Sequence, residues 1–474
     1  MERKISIEQT LCRGCNLCVE MCPKKVFEDG EEISPEGFKL KKVANPTKCT
    51  GCKLCELFCP GAINLKIEEK ETPSYSPRLR LGRGGPPEAR LARGGWRETK
   101  NPLTPGKYFW QGNKAVVEAA LACGCRFFAG YPITPANEIL EEMAKRMKVV
   151  DGVMVQAEDE IAAISMILGA SWAGLKAITA TSGPGFALMQ ENLSLADMTE
   201  TPCVVVDVQR AGPSTGQPTR PGAMDMREVR YGSHGAIQRI VLYPESVQEL
   251  YDLTIKAFNL SERFRTPVIL LSDAYLAHLS ESVEIKEKID AFDRIYIPGE
   301  PPFGPTPDFS TPSMPRFGDG EFLSITGSTH DKLGARSTAD SGIQEELISH
   351  LQNKIIKQKE ELVDCEELFL NDAKIVVVAF GTVGRSAKWA VREARKRGKK
   401  VGFLRPRIVY PFPADKIKEL SGKVRKFVVP EMNQGQMFYV VREKISREVV
   451  SLPQPNGQII DPRRILKYLL GEGW

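Results

Sequence analysis

Residues 177–208 read AITATSGPGFALMQENLSLADMTETPCVVVDV, and this stretch decides the fold of the larger part of the chain. An apolar run at 177–181 ends in the turn 182–185, a helical pattern covers 186–197, and a second apolar run follows at 203–208. Buried strands that alternate with helices are typical of a parallel sheet covered on both faces. The sequence therefore predicts an α/β fold, with functional loops at the carboxyl ends of the strands.

The same alternation extends in both directions from this stretch. Toward the N-terminus it predicts helices at 115–122, 137–147 and about 158–173, with strands at 127–130 and 153–156. Toward the C-terminus it predicts strands at 375–379, 401–404 and 426–429, with helices at 386–397 and 414–420. We expect one α/β domain over 107–281, a second over 372–474, and a connecting segment over 282–371 with a helix near 341–363.

Composition excludes some classes of protein. The net charge of +5 over 474 residues is small and does not predict a nucleic-acid-binding protein. No apolar run approaches the roughly 18–20 residues that span a bilayer. Residues 1–10 are charged and do not resemble a secretory signal. We therefore expect a cytoplasmic protein that is not bound to a membrane.

Eight of the twelve cysteines lie between Cys12 and Cys59, in two runs of identical spacing, C-x2-C-x2-C-x3-C-P. This is the spacing of bacterial two-cluster ferredoxins. Zinc sites usually offer pairs of cysteines, and disulfides are rare in cytosolic chains, so both alternatives are weaker. Residues 1–67 are therefore predicted to be an α+β electron-transfer domain with two 4Fe–4S clusters.

The resemblance to two-cluster ferredoxins also implies which cysteines bind which cluster, because the fourth cysteine of each run reaches the other cluster. One cluster is then bound by Cys12, Cys15, Cys18 and Cys59. The other is bound by Cys49, Cys52, Cys55 and Cys22.

Residues 68–106 are rich in Pro, Gly and Arg and show neither helical nor strand periodicity. This composition predicts a solvated tether. The alternative is an arm that lies along an acidic partner surface through its arginines. These arginines are Arg78, Arg80, Arg83, Arg90, Arg93 and Arg97.

Four motifs follow predicted strands: YPITP at 131–135, QAEDE at 156–160, TSGPG at 181–185 and QRAGPSTGQPTR at 209–220. In this order they resemble the α subunit of 2-oxoacid:ferredoxin oxidoreductases. Within that family, the sequences ATSGPGFALMQEN and GPSTGQPT are most similar to those of the 2-oxoglutarate enzyme. The branched-chain 2-oxoacid and pyruvate enzymes remain alternatives, as does a non-catalytic electron-carrier or scaffold subunit.

The resemblance implies a domain that binds the pyrimidine end of thiamine diphosphate, followed by a transketolase-C-like domain. It implies a β subunit that holds Mg²⁺ and the diphosphate and carries its own cluster, a γ subunit or domain, and an external ferredoxin. The reaction would be oxidative decarboxylation of a 2-oxoacid with coenzyme A, or its reverse. The GDG at 318–320 lacks the later asparagine of a diphosphate motif and is interpreted as a turn.

The same resemblance implies site residues. Glu158 matches the carboxylate that contacts the pyrimidine ring, although acids at a helix start are common anyway. Thr134 and Arg210 match the residues that bind the substrate, where a turn threonine and a surface ion pair are the ordinary alternatives. The remaining candidates are Pro132, Ser182 and Gly183 for the cofactor, and Arg220 for a distal carboxylate of the substrate.

Overall fold

The computed structural model describes residues 2–10, 12, 17–33, 37, 39–49, 55, 59, 63–68, 93–235, 237–307 and 310–474. The chain forms two compact units, Met1–Leu81 and Gly82–Trp474.

The first unit is built on short antiparallel strand pairs. Its strands are β1 (Glu2–Ile7), β2 (Phe27–Ile33), β3 (Lys39–Val43) and β4 (Ile63–Glu68), and its helix is α1 (Leu17–Met21). β1 pairs with β4, and β2 pairs with β3. A 3-10 turn at Pro46–Lys48 leads into the second cysteine run.

The second unit contains all the remaining described elements. Its strands are β5 (Arg93–Lys100), β6 (Gly106–Gln111), β7 (Cys125–Gly130), β8 (Val153–Gln156), β9 (Lys176–Thr181), β10 (Cys203–Ala211), β11 (Gln217–Pro221), β12 (Ile240–Leu242), β13 (Pro267–Asp273), β14 (Ser280–Ile285), β15 (Lys288–Tyr296), β16 (Cys365–Leu368), β17 (Ile375–Val378), β18 (Val401–Pro406), β19 (Ile408–Tyr410), β20 (Lys426–Glu431) and β21 (Glu448–Pro453).

Its helices are α2 (Gly112–Ala122), α3 (Asn137–Arg146), α4 (Glu160–Trp172), α5 (Pro184–Leu188), α6 (Gln190–Met198), α7 (Glu228–Tyr231), α8 (Val247–Phe264), α9 (Ala274–His278), α10 (Ser341–Ile356), α11 (Val383–Lys396), α12 (Ala414–Ser421), α13 (Gln436–Glu443) and α14 (Pro462–Leu470). Within the described part of the chain, none of the helices combines the length and the apolar character that a membrane crossing needs.

The main sheet has the strand order β8-β7-β9-β10-β13-β12-β19, with β11 paired to β10. Six neighbouring strands of this sheet are parallel to one another, namely β8, β7, β9, β10, β13 and β12. The strands β11 and β19 run antiparallel to their neighbours. Every residue of β9 and β10 is buried, because helices cover both faces of the sheet. Apolar residues of α2, α3 and α8 pack on one face, and those of α4, α5 and α6 pack on the other. The α/β fold predicted from the sequence is confirmed.

The second sheet has the order β16-β18-β17-β20-β21 and is parallel except for β16. Its core is continuous with one face of the main sheet, so that Phe186 and Val205 belong to the same apolar cluster as Val377 and Phe427. β19 follows β18 directly but pairs with β12 of the main sheet. The two sheets are therefore joined by a shared core and by the chain that runs directly from β18 of the second sheet into β19 of the main sheet.

The segment expected to be a tether ends in a strand, and the prediction of no periodic structure was wrong there. β5 pairs with β15, and the Trp96 ring packs edge-on against Phe292 with centroids 5.3 Å apart. Arg97 forms an ion pair with Asp293, and Arg93 forms one with Asp319. The strand depends on a partner almost 200 positions away, which local periodicity does not register. Arg78, Arg80, Arg83 and Arg90 lie outside the described residues.

Three predicted helices differ in extent from the helices observed. The pattern at 186–197 is two helices, α5 and α6, and the helix predicted to start at 158 starts at 160. Asp159 is extended and caps α4, with its Oδ1 accepting a hydrogen bond from the amide of Ala162 at 2.7 Å. The helix expected near 341–363 ends at Ile356, and a 3-10 turn follows at Lys359–Leu362.

Candidate active site

The carboxyl ends of β7, β8, β9 and β10 lie side by side in the main sheet. Gly130 on β7 is aligned with Gln156 on β8, and Asp207 on β10 with Thr181 on β9. The four motifs at 131–135, 156–160, 181–185 and 209–220 follow directly from these strands. Parallel strands thus bring together loops that are far apart in sequence, as expected for a ligand site in this kind of sheet.

Arg210 ends β10 and contacts the YPITP loop. Its Nη1 donates a hydrogen bond to the carbonyl oxygen of Thr134 at 2.9 Å, and Asn137 Nδ2 approaches Thr134 Oγ1 at 3.4 Å. Arg210 is only 6% exposed, and its Nε has no acceptor among the described residues. Burial lowers the pKa of Arg210, although it stays a cation, opposed by the nearby Asp225, Asp207 and Glu160.

The QAEDE motif presents two glutamates in different environments. Glu158 is exposed on the surface of this chain, just after β8, whereas Glu160 is 4% exposed. Burial raises the pKa of Glu160, and Thr181 and Arg210 oppose that rise. The sequence points to Glu158 but gives no sign that Glu160 is the buried one, because neighbouring acids at a helix start show no periodicity that distinguishes them.

The TSGPG turn is shaped by close packing under it. The amide of Gly183 donates to Asp207 Oδ1 at 3.2 Å, and Ser182 is fully buried with no partner for its hydroxyl among the described residues. A Cβ on Gly185 would lie 2.2 Å from both Glu160 Oε1 and Thr181 Oγ1. Only glycine therefore lets this turn lie so close to Glu160.

A cavity of about 520 Å³ opens beside Arg210. The second sheet closes it, since Asn433 Nδ2 donates to the carbonyl oxygen of Ala223 at 2.7 Å and Gln436 Nε2 donates to that of Met224. The walls combine apolar side chains with a few polar groups, as small-molecule sites commonly do. They are Gly183, Pro184, Ala187, Arg210, Gly212, Pro213, Ser214, Met224, Asp225, Glu228, Gln434 and Gln436.

Five candidates are not among the described residues of this wall, namely Thr134, Glu158, Ser182, Pro132 and Arg220. Pro132 is exposed beside Tyr131 at the end of β7. Arg220 is exposed on β11, where its Cβ lies against Gly457, and it is not among the described residues that line the cavity. The expected contact between Arg220 and a distal carboxylate therefore has no support in the geometry of this chain.

Five of the six described cysteines of the first unit converge on one small core. Cys18 and Cys55 are buried with Val26 and Phe27, and Cys12 is half-buried at the start of its run. Cys22, Cys49 and Cys59 pack against the same core. The amide of Val26 points at Cys22 Sγ at 3.4 Å, the kind of donor that stabilises a cluster thiolate. Thiolates are the ligands that iron–sulfur clusters take. Among the described residues no three possible ligands lie close enough together to hold a metal ion, and Cys15 and Cys52 lie outside the described residues.

Three protein-family models match the chain. "Pyruvate flavodoxin/ferredoxin oxidoreductase, thiamine diP-bdg" covers residues 118–348, "Pyruvate:ferredoxin oxidoreductase core domain II" covers 373–465, and "4Fe-4S dicluster domain" covers 11–63. The first two together contain the main sheet and all of the second sheet except β16, and the third contains both cysteine runs.

Individual relatives agree with these models. The chain is 47% identical to 2-oxoglutarate synthase subunit KorA of Methanocaldococcus jannaschii, over 77% of this chain and 99% of the relative. It is 39% identical to ketoisovalerate oxidoreductase subunit VorB of Methanothermobacter marburgensis, over 76% of this chain and 96% of that one.

A solved structure is also similar to the chain. It is the 2-oxoglutarate:ferredoxin oxidoreductase from Magnetococcus marinus with 2-oxoglutarate, coenzyme A and succinyl-CoA bound. The match has a TM-score of 0.73 and 33% identity, over 77% of this chain and 65% of the other. With the four strand-end motifs, the buried arginine and the paired cysteine runs, these likenesses show that the chain belongs to the α subunits of the 2-oxoacid:ferredoxin oxidoreductases and carries a 4Fe–4S dicluster domain.

Proposed function

We propose that the chain is the catalytic α subunit of a coenzyme-A-acylating 2-oxoglutarate:ferredoxin oxidoreductase. Arg210 carries this proposal, because it is a buried cation with an unused donor in the wall of a cavity. A guanidinium is suited to the carboxylate that every 2-oxoacid carries. Thr134, which Arg210 contacts, is proposed to bind the same end of the substrate.

The cofactor residues are proposed on the same loops. Glu158, exposed toward any partner at the strand ends, would contact the pyrimidine ring, with Pro132, Ser182 and Gly183 beside it. Thiamine diphosphate, when bound, supplies a carbon nucleophile that allows a 2-oxoacid to lose CO2. The Ser182 hydroxyl is buried without a partner among the described residues, and the turn at Gly185 is closely packed. Both features support a cofactor that is partly enclosed by these loops.

The clusters of the first unit would take up the electrons released and pass them to an external ferredoxin. We propose a β subunit that holds the diphosphate and Mg²⁺, and a γ subunit or domain. The cysteine ligands require a reducing compartment, which supports a cytoplasmic enzyme. Holding the cluster module on the catalytic chain raises its local concentration near the site.

The choice of substrate rests on the cavity and on the relatives. The higher identity to 2-oxoglutarate synthases favours 2-oxoglutarate, and Ser214, Gln434 and Gln436 provide donors for a second carboxylate. The apolar walls at Pro213 and Met224 suit 2-oxoisovalerate instead, which keeps the branched-chain reaction as the second candidate.

One assay separates these functions. The anaerobically purified chain is combined with its β partner, and viologen reduction is measured with coenzyme A and either 2-oxoglutarate, 2-oxoisovalerate or pyruvate. We expect the highest kcat/KM with 2-oxoglutarate. A higher kcat/KM with another 2-oxoacid would assign that 2-oxoacid as the substrate instead. Intact clusters without turnover of any of the three 2-oxoacids would indicate an electron-carrier or scaffold subunit.

Arg210→Ala tests the residue that carries the proposal. We expect kcat/KM to fall about 100-fold or more, because a charge-assisted contact to a buried carboxylate is lost. Arg210→Lys keeps the charge but not the planar fork, and we expect it to recover only part of the activity. Iron content should be unchanged in both variants, and normal turnover in Arg210→Ala would remove Arg210 from the site.

A further inference from the structure

Two buried carboxyl groups lie behind Arg210, and neither was singled out from the sequence. Asp207 is fully buried on β10, and Asp225 is 8% exposed in the cavity wall. The two side chains are within hydrogen-bonding reach of each other. No donor among the described residues reaches Asp207 Oδ2 or Asp225 Oδ2. Two carboxylates in this arrangement cannot both be ionised at low cost.

The surroundings hold the pair in place. Asp207 Oδ1 accepts from the amide of Gly183, and the amide of Asp225 donates to Gln209 Oε1 at 3.0 Å. Gln209 Nε2 in turn donates to the carbonyl oxygen of Ser272 at 3.3 Å. The pair is thus built into β10, the TSGPG turn and the loop after β11.

The charges around the pair are mostly negative. Glu228 faces both aspartates from α7, and Glu160 faces Arg210 from α4. Tyr243 and Asp273 lie behind the pair and supply no positive charge. Arg210 is the cation that faces the pair directly, while Arg239 interacts with Glu228.

Burial raises the pKa of Asp225 to about 7, and Glu228 adds to the rise. Burial and the charge of Asp225 raise the pKa of Asp207 well above its usual range. The pair therefore loses a first proton as pH rises through about 7 and keeps the second to a higher pH, because one ionised carboxylate disfavours ionisation of the other. A negative charge placed on Arg210 would increase the affinity of the pair for that proton.

We propose that Asp207 and Asp225 share one proton when an anionic 2-oxoacid binds at Arg210, so that substrate binding is linked to retention of that proton. The inference rests on the proposed role of Arg210 as the carboxylate ligand. The proton cancels one negative charge next to Arg210 and leaves the guanidinium available to the substrate. By reciprocity, a substrate that favours the protonated pair binds more weakly once the pair is fully ionised.

The test measures kcat/KM and kcat of the α–β enzyme from about pH 6 to about pH 9 with the best 2-oxoacid. Inhibition by glutarate, a dicarboxylate without the keto group, provides a binding readout that needs no chemistry on the inhibitor. In the wild type we expect kcat/KM to fall, and the Ki of glutarate to rise, by up to about tenfold per pH unit above the titration of the pair.

Two variants separate the linkage from a structural role. Asp225→Asn replaces one carboxyl with a neutral amide, and the pH dependence of kcat/KM should flatten. Glu228→Gln removes the neighbouring charge but keeps both aspartates, so the fall should begin at a lower pH. A structural role alone would not shift the midpoint of the profile.

A wild-type profile that is flat in both readouts would overturn the linkage, as would an Asp225→Asn enzyme that keeps the wild-type slope. Glutarate that does not inhibit would also count against it, because an anion must bind at Arg210. Failure of the proposed function has a different signature, namely Arg210→Ala with unchanged kcat/KM at every pH.

Discussion

At the scale of single residues, the site is decided by which acids are buried. Glu158 and Glu160 are two positions apart, yet one is exposed and the other is packed under the TSGPG turn. The exposed carboxylate of Glu158 is accessible to the pyrimidine ring that we propose it contacts. A buried one with a raised pKa beside Arg210 is better placed to set the charge of the cavity.

The two glutamates can be distinguished by substitution to glutamine. We expect Glu158→Gln to lower kcat at least about 100-fold while the KM for the 2-oxoacid changes little, because proton transfer at the ring loses its carboxylate. Glu160→Gln keeps the volume and removes a charge facing Arg210, so the main change should be in KM. The measurement is the steady-state viologen assay with thiamine diphosphate at saturation.

The reverse result would exchange these roles: a large loss of kcat in Glu160→Gln with Glu158→Gln near wild type. Asp159 provides a matched control, because its side chain caps α4 and is exposed. Asp159→Asn keeps a capping side chain and should leave both kinetic constants close to wild type.

At the scale of elements, short helices at the cavity rim depend on their caps. α13 carries Gln436 into the cavity wall, and the buried Glu431 carboxylate accepts from the amides of Met437 at 2.7 Å and Phe438 at 2.8 Å. A carboxylate at a helix N-terminus satisfies donors that have no partner within the helix. Gln436 is thus positioned by a residue of the preceding strand, β20.

Glu431→Ala should destabilise the second unit by about 2 kcal/mol, because two helix amides lose their acceptor. Thermal unfolding of the catalytic unit, followed by near-UV circular dichroism, measures the loss. Glu443→Ala removes an exposed glutamate from the same helix and should change the melting temperature little. Equal stability of the two variants would contradict the capping role.

The pKa of Glu431 also gives the sign of a pH effect. Burial raises it to about 7, so the folded state binds a proton that the unfolded chain has already lost. The contribution of Glu431 to stability is therefore largest below its unfolded pKa of about 4.3 and falls as pH rises toward about 7. Unfolding measured at several pH values should show the wild type losing stability relative to Glu431→Gln, which does not titrate, as pH rises from about 4.3 to about 7.

At the scale of the whole second unit, the two sheets meet around one buried carboxylate. Asp273 at the end of β13 caps α9, with its Oδ1 accepting from the amides of Tyr275 and Leu276. Its Oδ2 accepts from the hydroxyl of Thr382, which lies between β17 of the second sheet and α11, and from Tyr243 at 3.3 Å. This contact and β19 hold the cavity wall that the second sheet contributes.

Thr382→Val should lower the stability of the second unit by about 1–3 kcal/mol, because a buried carboxylate loses a donor while the side-chain volume is kept. Thr382→Ser retains the hydroxyl and is the matched control. Urea unfolding, with activity measured in parallel, should show that the valine variant also loses activity at lower urea than the wild type. Identical curves for the two variants would contradict a role for this hydrogen bond.

Much of the fold and part of the candidate site can be predicted from the sequence, because they depend on the spacing of residues within short stretches. The cysteine intervals, the alternation of apolar strands with helices and the four loops after the strands are all properties of short stretches. Arg210 and Thr134 were expected in one site, and the main sheet places them in contact. The strand β5 was missed because its pairing with β15 is a long-range property.

The two cysteine runs, the parallel α/β architecture and the family to which they point can all be inferred from the amino-acid sequence. Folding is needed to show that Glu160 is buried and Glu158 exposed, that Asp207 meets Asp225, and that Arg220 is not among the described residues lining the cavity. The physical reason is that spacing along a chain specifies covalent reach and periodicity. Burial and pKa depend on neighbours that distant segments bring together when the chain folds.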